Sequence, residues 1–277
     1  MMYRRKNKLS QINYMPDIEP PPTPEQAMTP FTSVGAKMAN VFVTPAEVFD
    51  EVRSSPINSA NWFVPLIVNI LAGIIYIMTI YSQPTIIQQL REQQEAPLET
   101  MVKQGKMSRQ AADQQIARME SFMSPGFMKT TGILMMFFAS PAMLFFVAVI
   151  FWLVGRFAFG AHFEFMKGVE AIGFASMIGV LQLVFMTLLA VIYGSLFMNV
   201  GPVLLIKHFN PNNLWHVFIA SLNLMVVWYF AVLAIALQRF TGTRFWKAAC
   251  WPFGVWMLLI AAHLALVYAL QLIFKGK

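Results

Sequence analysis

The chain has 277 residues, of which 57% are hydrophobic and only 12% are charged, and its mean hydropathy is +0.58. Soluble domains carry roughly 25% charged residues, so this composition excludes an ordinary soluble protein and indicates an integral membrane protein. The net charge is +7, but no polar segment carries a basic stripe with interleaved aromatic residues, which argues against nucleic-acid binding. The single cysteine, Cys250, excludes an intrachain disulfide and a cysteine-based metal site.

The first 32 residues form a basic, proline-rich tail that we expect to be disordered. Basic residues at positions 4–8 are followed by six prolines between Pro16 and Pro30. Proline removes backbone donors and restricts φ, so neither a helix nor a sheet runs through this segment. No apolar run follows the basic cluster, so the tail is not a signal peptide. It is either simply solvated, or it binds anionic lipid or a partner.

Residues 33–56 are expected to form two short amphipathic helices at the membrane interface. Thr44-Pro45-Ala46-Glu47 has the form of a capping box, with proline at the first helical position. Pro56 ends the second helix. The apolar face of that helix consists of Val48, Phe49 and Val52. An amphipathic helix directly before a span is typical of a membrane interface.

Residues 57–277 form a membrane domain with five predicted spans. A helix needs roughly 20 apolar residues to cross about 30 Å of hydrocarbon, and five runs of about this length contain no Asp, Glu, Lys or Arg. Backbone groups in lipid must be satisfied within the segment, so each run is predicted to be helical. The fold class is therefore an all-α bundle of five transmembrane helices, at about residues 62–82, 130–154, 171–197, 214–237 and 248–274.

The polar residues 83–129, between the first two spans, are predicted to form a helical hairpin outside the membrane. Ser108 is placed to cap a helix, and residues 112, 116, 119 and 123 are apolar and share one helical face. We place the turn around Pro97 and Gly105. The apolar face packs either on the neighbouring helix or the lipid surface, or on another protein.

Lys and Arg residues in the short loops predict the orientation of the chain. Five of them lie on the side of the N-terminus and three on the opposite side, and the segment before the first span adds six to the first side. Cytoplasmic loops are enriched in these residues. We therefore expect a cytoplasmic N-terminus and a C-terminus outside.

Four polar side chains inside the predicted spans are the candidate functional residues: Asn69, Gln182, Asn223 and His263. His263, near the middle of the fifth span, is placed to relay protons or bind a ligand, or to hydrogen-bond a neighbouring helix as a neutral imidazole. The amide side chains of Asn69, Gln182 and Asn223 are of a type that hydrogen-bonds between membrane helices, where each pair stabilises the contact by about 0.6 kcal/mol. No catalytic set, metal site or cofactor motif is present, so neither an enzyme nor a cofactor is expected.

Three stretches match a known family in their order along the chain. They are residues 43–49 before the first span, residues 155–169 after the second, and residues 221–248 around the end of the fourth. Over roughly residues 40–270 the chain resembles the Yip family, the Ypt/Rab-interacting protein domain, in its bacterial form. The resemblance implies an integral protein of the bacterial inner membrane, with five spans and no established catalytic residues. Eukaryotic relatives are linked to vesicle trafficking and Rab GTPases.

We therefore expect a non-enzymatic scaffold or interaction protein that organises membrane partners or lipids. Its expected partners are the lipid bilayer, other membrane proteins or a second copy of the chain, and not nucleic acid. The alternative is a transporter or an accessory subunit of a transport complex. Transport is favoured if the four polar side chains converge on one cavity, and it is disfavoured if they pair off between helices in a dry core.

Overall fold

The computed structural model describes residues 31–207, 209–211 and 213–275. The chain divides into residues 1–31 and residues 32–277, and the architecture below is that of the second unit. The predicted disorder of residues 1–30 lies outside the described residues. Within them the chain forms helices and no strands. Five helical segments are long and apolar enough to cross a membrane, which confirms the predicted fold class: Ala60–Ile80, Pro125–Ala158, Phe165–Tyr193, Leu224–Thr241 and Phe245–Leu272.

Eleven α-helices follow one another in the described part of the chain. A π-helical turn extends the sixth (Val154–Ala158), and a short 3-10 turn precedes the ninth (Pro202–Leu205). The helices are α1 (Val34–Asn40), α2 (Pro45–Ser54), α3 (Ala60–Ile80), α4 (Pro84–Lys103), α5 (Arg109–Phe122), α6 (Pro125–Leu153), α7 (Phe165–Ala175), α8 (Met177–Tyr193), α9 (Leu214–Ser221), α10 (Leu224–Thr241) and α11 (Phe245–Lys275).

The centre of the bundle is formed by α3, α7, α8 and α10. Helix α3 packs against α6, α7 and α8, while α10 packs against α2, α8 and α11. One hydrophobic core runs through these contacts and includes Phe49, Phe174 and Leu237. We call the end of the bundle at which α2 packs against α7 and α10 the α2 end.

The apolar face of α2 is buried inside the protein, which differs from the expected position on the lipid surface. Val48, Phe49 and Val52 all belong to the main hydrophobic core, because α2 packs against α10 and α7. An amphipathic pattern shows that one face needs an apolar neighbour. It does not show whether that neighbour is lipid or protein.

Both predicted helix starts are observed, but only one of the two predicted side-chain caps is formed. The Ser108 hydroxyl accepts a hydrogen bond from the Ala111 N–H at 3.1 Å, as the sequence predicts. The predicted capping box is wrong, since Thr44 makes no side-chain cap and its backbone carbonyl accepts from the Glu47 N–H at 3.1 Å instead. Pro45 nevertheless occupies the first turn of α2, as expected.

Residues 83–129 form a helical hairpin of α4 and α5, which pack against each other. Its turn lies at Gly105, whose φ of 69° is a left-handed conformation that glycine adopts readily. Pro97 lies inside α4 and not in the turn. The predicted hairpin is therefore present, with its turn at the second of the two expected positions.

Two span boundaries differ from the predicted ones for identifiable reasons. The third span begins at Phe165 and not near residue 171, because Lys167 and Glu170 are paired inside the protein and so enter the helix. The fourth span begins at Leu224 and not near residue 214, because the chain leaves the helical conformation before it and residues 214–221 form the separate helix α9. Every other predicted end lies within five residues of the observed one.

Candidate functional site

A buried ion pair lies where α7 packs against the start of α3. Lys167 Nζ is 3.2 Å from Glu170 Oε2, and Glu170 has 0% exposure. The Glu170 carboxylate also accepts hydrogen bonds from the Asn58 N–H at 2.9 Å and from Asn61 Nδ2 at 2.7 Å. Lys167 donates in addition to the Pro56 carbonyl at 3.0 Å. Both charges are thus hydrogen-bonded beyond the pair itself, as buried charges require.

The helix spacing and one glycine bring these groups together. Lys167 and Glu170 are three residues apart on α7, so they lie on the same helical face. The two helices approach closely at Gly173, where a Cβ atom would lie 2.6 Å from the Cα of Trp62. Just before α3, the Asn58 side chain accepts from the Ala60 N–H at 3.0 Å, which orders the turn that carries the Asn58 donor.

Two buried polar atoms at the start of α3 have no hydrogen-bond partner among the described residues. They are Asn61 Oδ1 and Trp62 Nε1, and both are buried. A buried polar atom without a partner costs about 1–3 kcal/mol. The start of α3 therefore has one unused acceptor on Asn61, which bonds Glu170 through its other amide atom, and one unused donor on the next residue.

A second polar network joins α1, α2 and α10 at the α2 end. Lys37 Nζ lies 3.1 Å from Glu51 Oε1, and Thr32 donates to Glu51 through both its N–H and its hydroxyl, each at 2.6 Å. Burial opposes ionisation of Glu51, but the hydrogen bonds from Thr32 and Lys37 and the charge of Lys37 outweigh it, so the pKa of Glu51 lies below its ordinary value. Asp50 pairs with Arg239 of α10 at 3.1 Å. These contacts fasten α1 to α2 and α2 to α10.

A cavity of about 540 Å³ opens among the spans and is lined almost entirely by apolar side chains. Helix α6 packs against α3 and α7, whereas α11 packs against α10, α9 and α4. This packing leaves a gap between α6 and α11. Met143 of α6 and Leu259 of α11 line the cavity, yet they are 60% and 59% exposed. The cavity is therefore open sideways, toward the surrounding lipid.

Two of the four predicted polar residues line this cavity, and two do not. Asn69 of α3 and Gln182 of α8 are both in its wall. The fold places Asn223 outside the body of a span, since it is the N-cap of α10 and its side chain accepts from the Met225 N–H at 2.9 Å. His263 is exposed on the surface of α11. The four side chains therefore neither converge on one cavity nor pair off with one another.

Sequence reasoning missed the pair of Lys167 and Glu170, because it placed both residues in the loop before the third span. A signal was available. Two opposite charges three residues apart lie on one helical face, and these two directly precede a long apolar run. Such a pattern is consistent with a helix that begins earlier and carries the pair into the protein.

Comparisons with known proteins identify one family model. The model of the Yip1 domain matches residues 39–266. The matched region extends from α1 into α11. It includes the first four spans, the fifth span as far as residue 266, the ion pair and the cavity. Neither a search of the curated proteins nor a search of the solved structures returns a match.

Proposed function

The chain belongs to the Yip1-domain family of membrane proteins, and from this premise we propose that it is a non-enzymatic scaffold that holds partner proteins in the membrane. The family resemblance seen in the sequence is thereby confirmed. The scaffold role is supported chiefly by one residue, His263, and by the two helices that the bundle leaves least covered.

His263 is a polar side chain on the outside of the bundle. It is exposed, and it hydrogen-bonds to no described residue. It lies nine residues before Leu272, the end of the fifth span, which corresponds to about 14 Å along a helix. That distance places the imidazole within the hydrocarbon, where polar side chains face protein or water and rarely lipid. A hydrogen-bonding group on a neighbouring membrane protein would satisfy it.

The bundle leaves α11 and α6 mostly uncovered. In the most apolar stretch of each span, 6% of residues are buried in α11 and 11% in the second span, compared with 39% in α10. Lipid alone can cover such faces, because it is as apolar as they are. The position of His263 on α11 favours a protein neighbour on that helix.

The non-enzymatic part of the proposal is supported by the state of the buried charges. Lys167 and Glu170 are bonded to each other and to neighbouring groups, and both are buried, so a substrate at the surface would not reach them.

The scaffold proposal is tested by isolating the full chain with its neighbours. The tagged protein is extracted from its native membrane in a mild detergent, and co-purifying proteins are quantified by mass spectrometry. We expect a stoichiometric partner or a second copy. His263→Leu should reduce its recovery about three- to thirtyfold, because one interhelical hydrogen bond contributes about 0.6–2 kcal/mol. Leu258→Ala is the control, because Leu258 is an exposed apolar residue of the same helix. A monomer without partners in all three samples contradicts the scaffold.

Transport, or an accessory role in a transport complex, is the second candidate, since Asn69 and Gln182 share one cavity. Transport of a polar solute requires water to reach these amides. We propose to test this with Gln182→Cys in a Cys250→Ser background and a membrane-impermeant thiol reagent. Labelling of Cys at position 182 from either side of the membrane favours transport. Protection from both sides, with labelling by a lipid-soluble reagent, counts against it.

We also propose that the N-terminus lies in the cytoplasm and the C-terminus outside, in a bacterial inner membrane. The excess of Lys and Arg on the side of the N-terminus supports this orientation. A reporter enzyme that is active only outside the cytoplasm, fused to the C-terminus, is expected to be active. Activity of the same reporter fused to the N-terminus contradicts the orientation.

A further inference from the structure

The amide groups of the cavity lie near the middle of the membrane. Asn61 and Glu170 hydrogen-bond each other at the α2 end, so they mark one level on α3 and α7. Asn69 is eight residues beyond Asn61 along α3, and Gln182 is twelve residues beyond Glu170. At a rise of 1.5 Å per residue, the two amides therefore lie about 12 Å and about 18 Å from that level. Asn61 is the second residue of the first span, Ala60–Ile80, so this level lies at one edge of the hydrocarbon. Half the thickness of a hydrocarbon core is about 15 Å. Both amides are therefore close to the bilayer midplane.

Most polar groups of the cavity wall have no strong hydrogen-bond partner among the described residues. The exception is Ser176, whose hydroxyl donates to the Gly173 carbonyl at 2.7 Å. No described residue hydrogen-bonds the side chain of Asn69, Ser140 or Tyr229, and all three line the cavity. Gln182 donates only to the thioether of Met186, at 3.7 Å, and a thioether is a weak acceptor. Polar groups away from water are costly unless they are hydrogen-bonded. The cavity thus offers several donors to a molecule that supplies acceptors.

The wall also determines the charge of that molecule. No Asp, Glu, Lys, Arg or His is among the lining residues. A charged group at this depth would have no counter-charge, so the bound molecule is neutral. The volume of about 540 Å³ falls within the range of about 300–1,000 Å³ that is typical of small-molecule sites.

The position of the polar groups excludes an ordinary phospholipid. A phospholipid keeps its headgroup at the interface, about 15 Å from the midplane, and would bring only its chain ends to Asn69 and Gln182. A neutral lipid is free to carry its polar group to that depth. The wall also contains five aromatic side chains on which a planar ring can stack: Phe146, Phe151, Tyr229, Phe230 and Trp251.

We propose that the cavity binds an isoprenoid quinone, which enters from the bilayer through the gap between α6 and α11. Its ring lies against the aromatic wall. Its two carbonyl oxygens accept hydrogen bonds from the amide groups of Asn69 and Gln182 and from the hydroxyl groups of Ser140 and Tyr229. The isoprenoid tail extends through the gap into the lipid. The inference goes beyond the scaffold proposal, because it concerns the cavity and not the exposed His263.

The test uses the full chain in phosphatidylcholine liposomes with a photoactivatable isoprenoid quinone. Cross-linked peptides are identified by mass spectrometry over a series of quinone concentrations. We expect saturable labelling of the cavity wall that unlabelled quinone displaces and diacylglycerol does not. The double variant Asn69→Leu with Gln182→Leu removes both amides at similar side-chain volume. It should raise the half-saturating concentration about tenfold, because the quinone carbonyl groups lose two hydrogen-bond donors.

A matched pair of tryptophan variants tests the entrance. Leu259→Trp places a larger side chain in the cavity wall and should reduce labelling at least fivefold. Leu258→Trp is its control, because Leu258 is 71% exposed and does not line the cavity. Both positions are exposed, so both variants are expected to fold. Labelling that rises linearly without saturation, that is unchanged in Leu259→Trp, or that diacylglycerol displaces in place of quinone overturns the proposal.

Discussion

Truncation of Glu170 tests whether the buried ion pair holds α7 against the start of α3. Glu170→Ala leaves the Lys167 ammonium buried without its counter-charge, and it removes the acceptor used by Asn58 and Asn61. Breaking a buried pair from one side costs about 3–5 kcal/mol, because the remaining charge is uncompensated. We expect the free energy of unfolding of the full chain to fall by that amount.

The assay is reversible unfolding of the purified chain in mild detergent, followed by circular dichroism and tryptophan fluorescence. The double variant Lys167→Met with Glu170→Leu is the control. It removes both charges together, and replacing a buried pair by apolar residues is often neutral or stabilising by about 1–4 kcal/mol. Two results refute the reasoning. One is a loss below about 1 kcal/mol in Glu170→Ala, which is the value of an exposed pair; the other is an equal loss in the single and the double variant.

Three further predictions concern the fastening of α2, the start of α10 and the α3–α7 contact. The pKa of Glu51 is lowered in the folded chain, so its contribution to stability is present above its ordinary pKa of 4.5 and is lost as the pH falls through the folded value; Glu51→Gln should flatten this acid dependence in pH-resolved unfolding. Asn223→Ala removes the cap of α10 and should cost about 1 kcal/mol of unfolding free energy, whereas an unchanged midpoint would show that the cap is dispensable. Gly173→Leu forces the backbones of α7 and α3 apart at Trp62 and should cost about 1–3 kcal/mol, while Gly35→Ala, with open space around its position, should leave the melting temperature within a degree or two.

The sequence predicts the existence and number of the spans because lipid leaves the backbone no alternative to a helix. The same rule does not determine where a helix ends. At Lys167 and Glu170 the charged residues suggested a loop, but they compensate each other and continue the helix. At Asn223 an uninterrupted apolar run suggested one span, but the side chain caps a new helix and divides the run.

For the candidate functional residues, too, the sequence showed which residues are polar but not what surrounds them in the folded protein. Asn69, Gln182 and His263 were all recognisable as polar residues within apolar runs, and all three lie in predicted and observed spans. Their surroundings differ, since the first two line one cavity and the third is exposed on α11. A single helix does not reveal which of its faces meets a neighbour, so hydrophobicity alone could not separate these cases.

The amino-acid sequence by itself determined that this protein is a five-span helical membrane protein with an amphipathic segment before the first span. Those properties depend on local composition and on the thickness of the bilayer. Only the tertiary structure decided that α2 is buried against α10, that Glu170 meets Asn61, and that a gap remains between α6 and α11. Glu170 and Asn61 are 109 residues apart in the chain. Such contacts depend on how the helices pack, and helix packing is set by the joint shape of surfaces that no single segment contains.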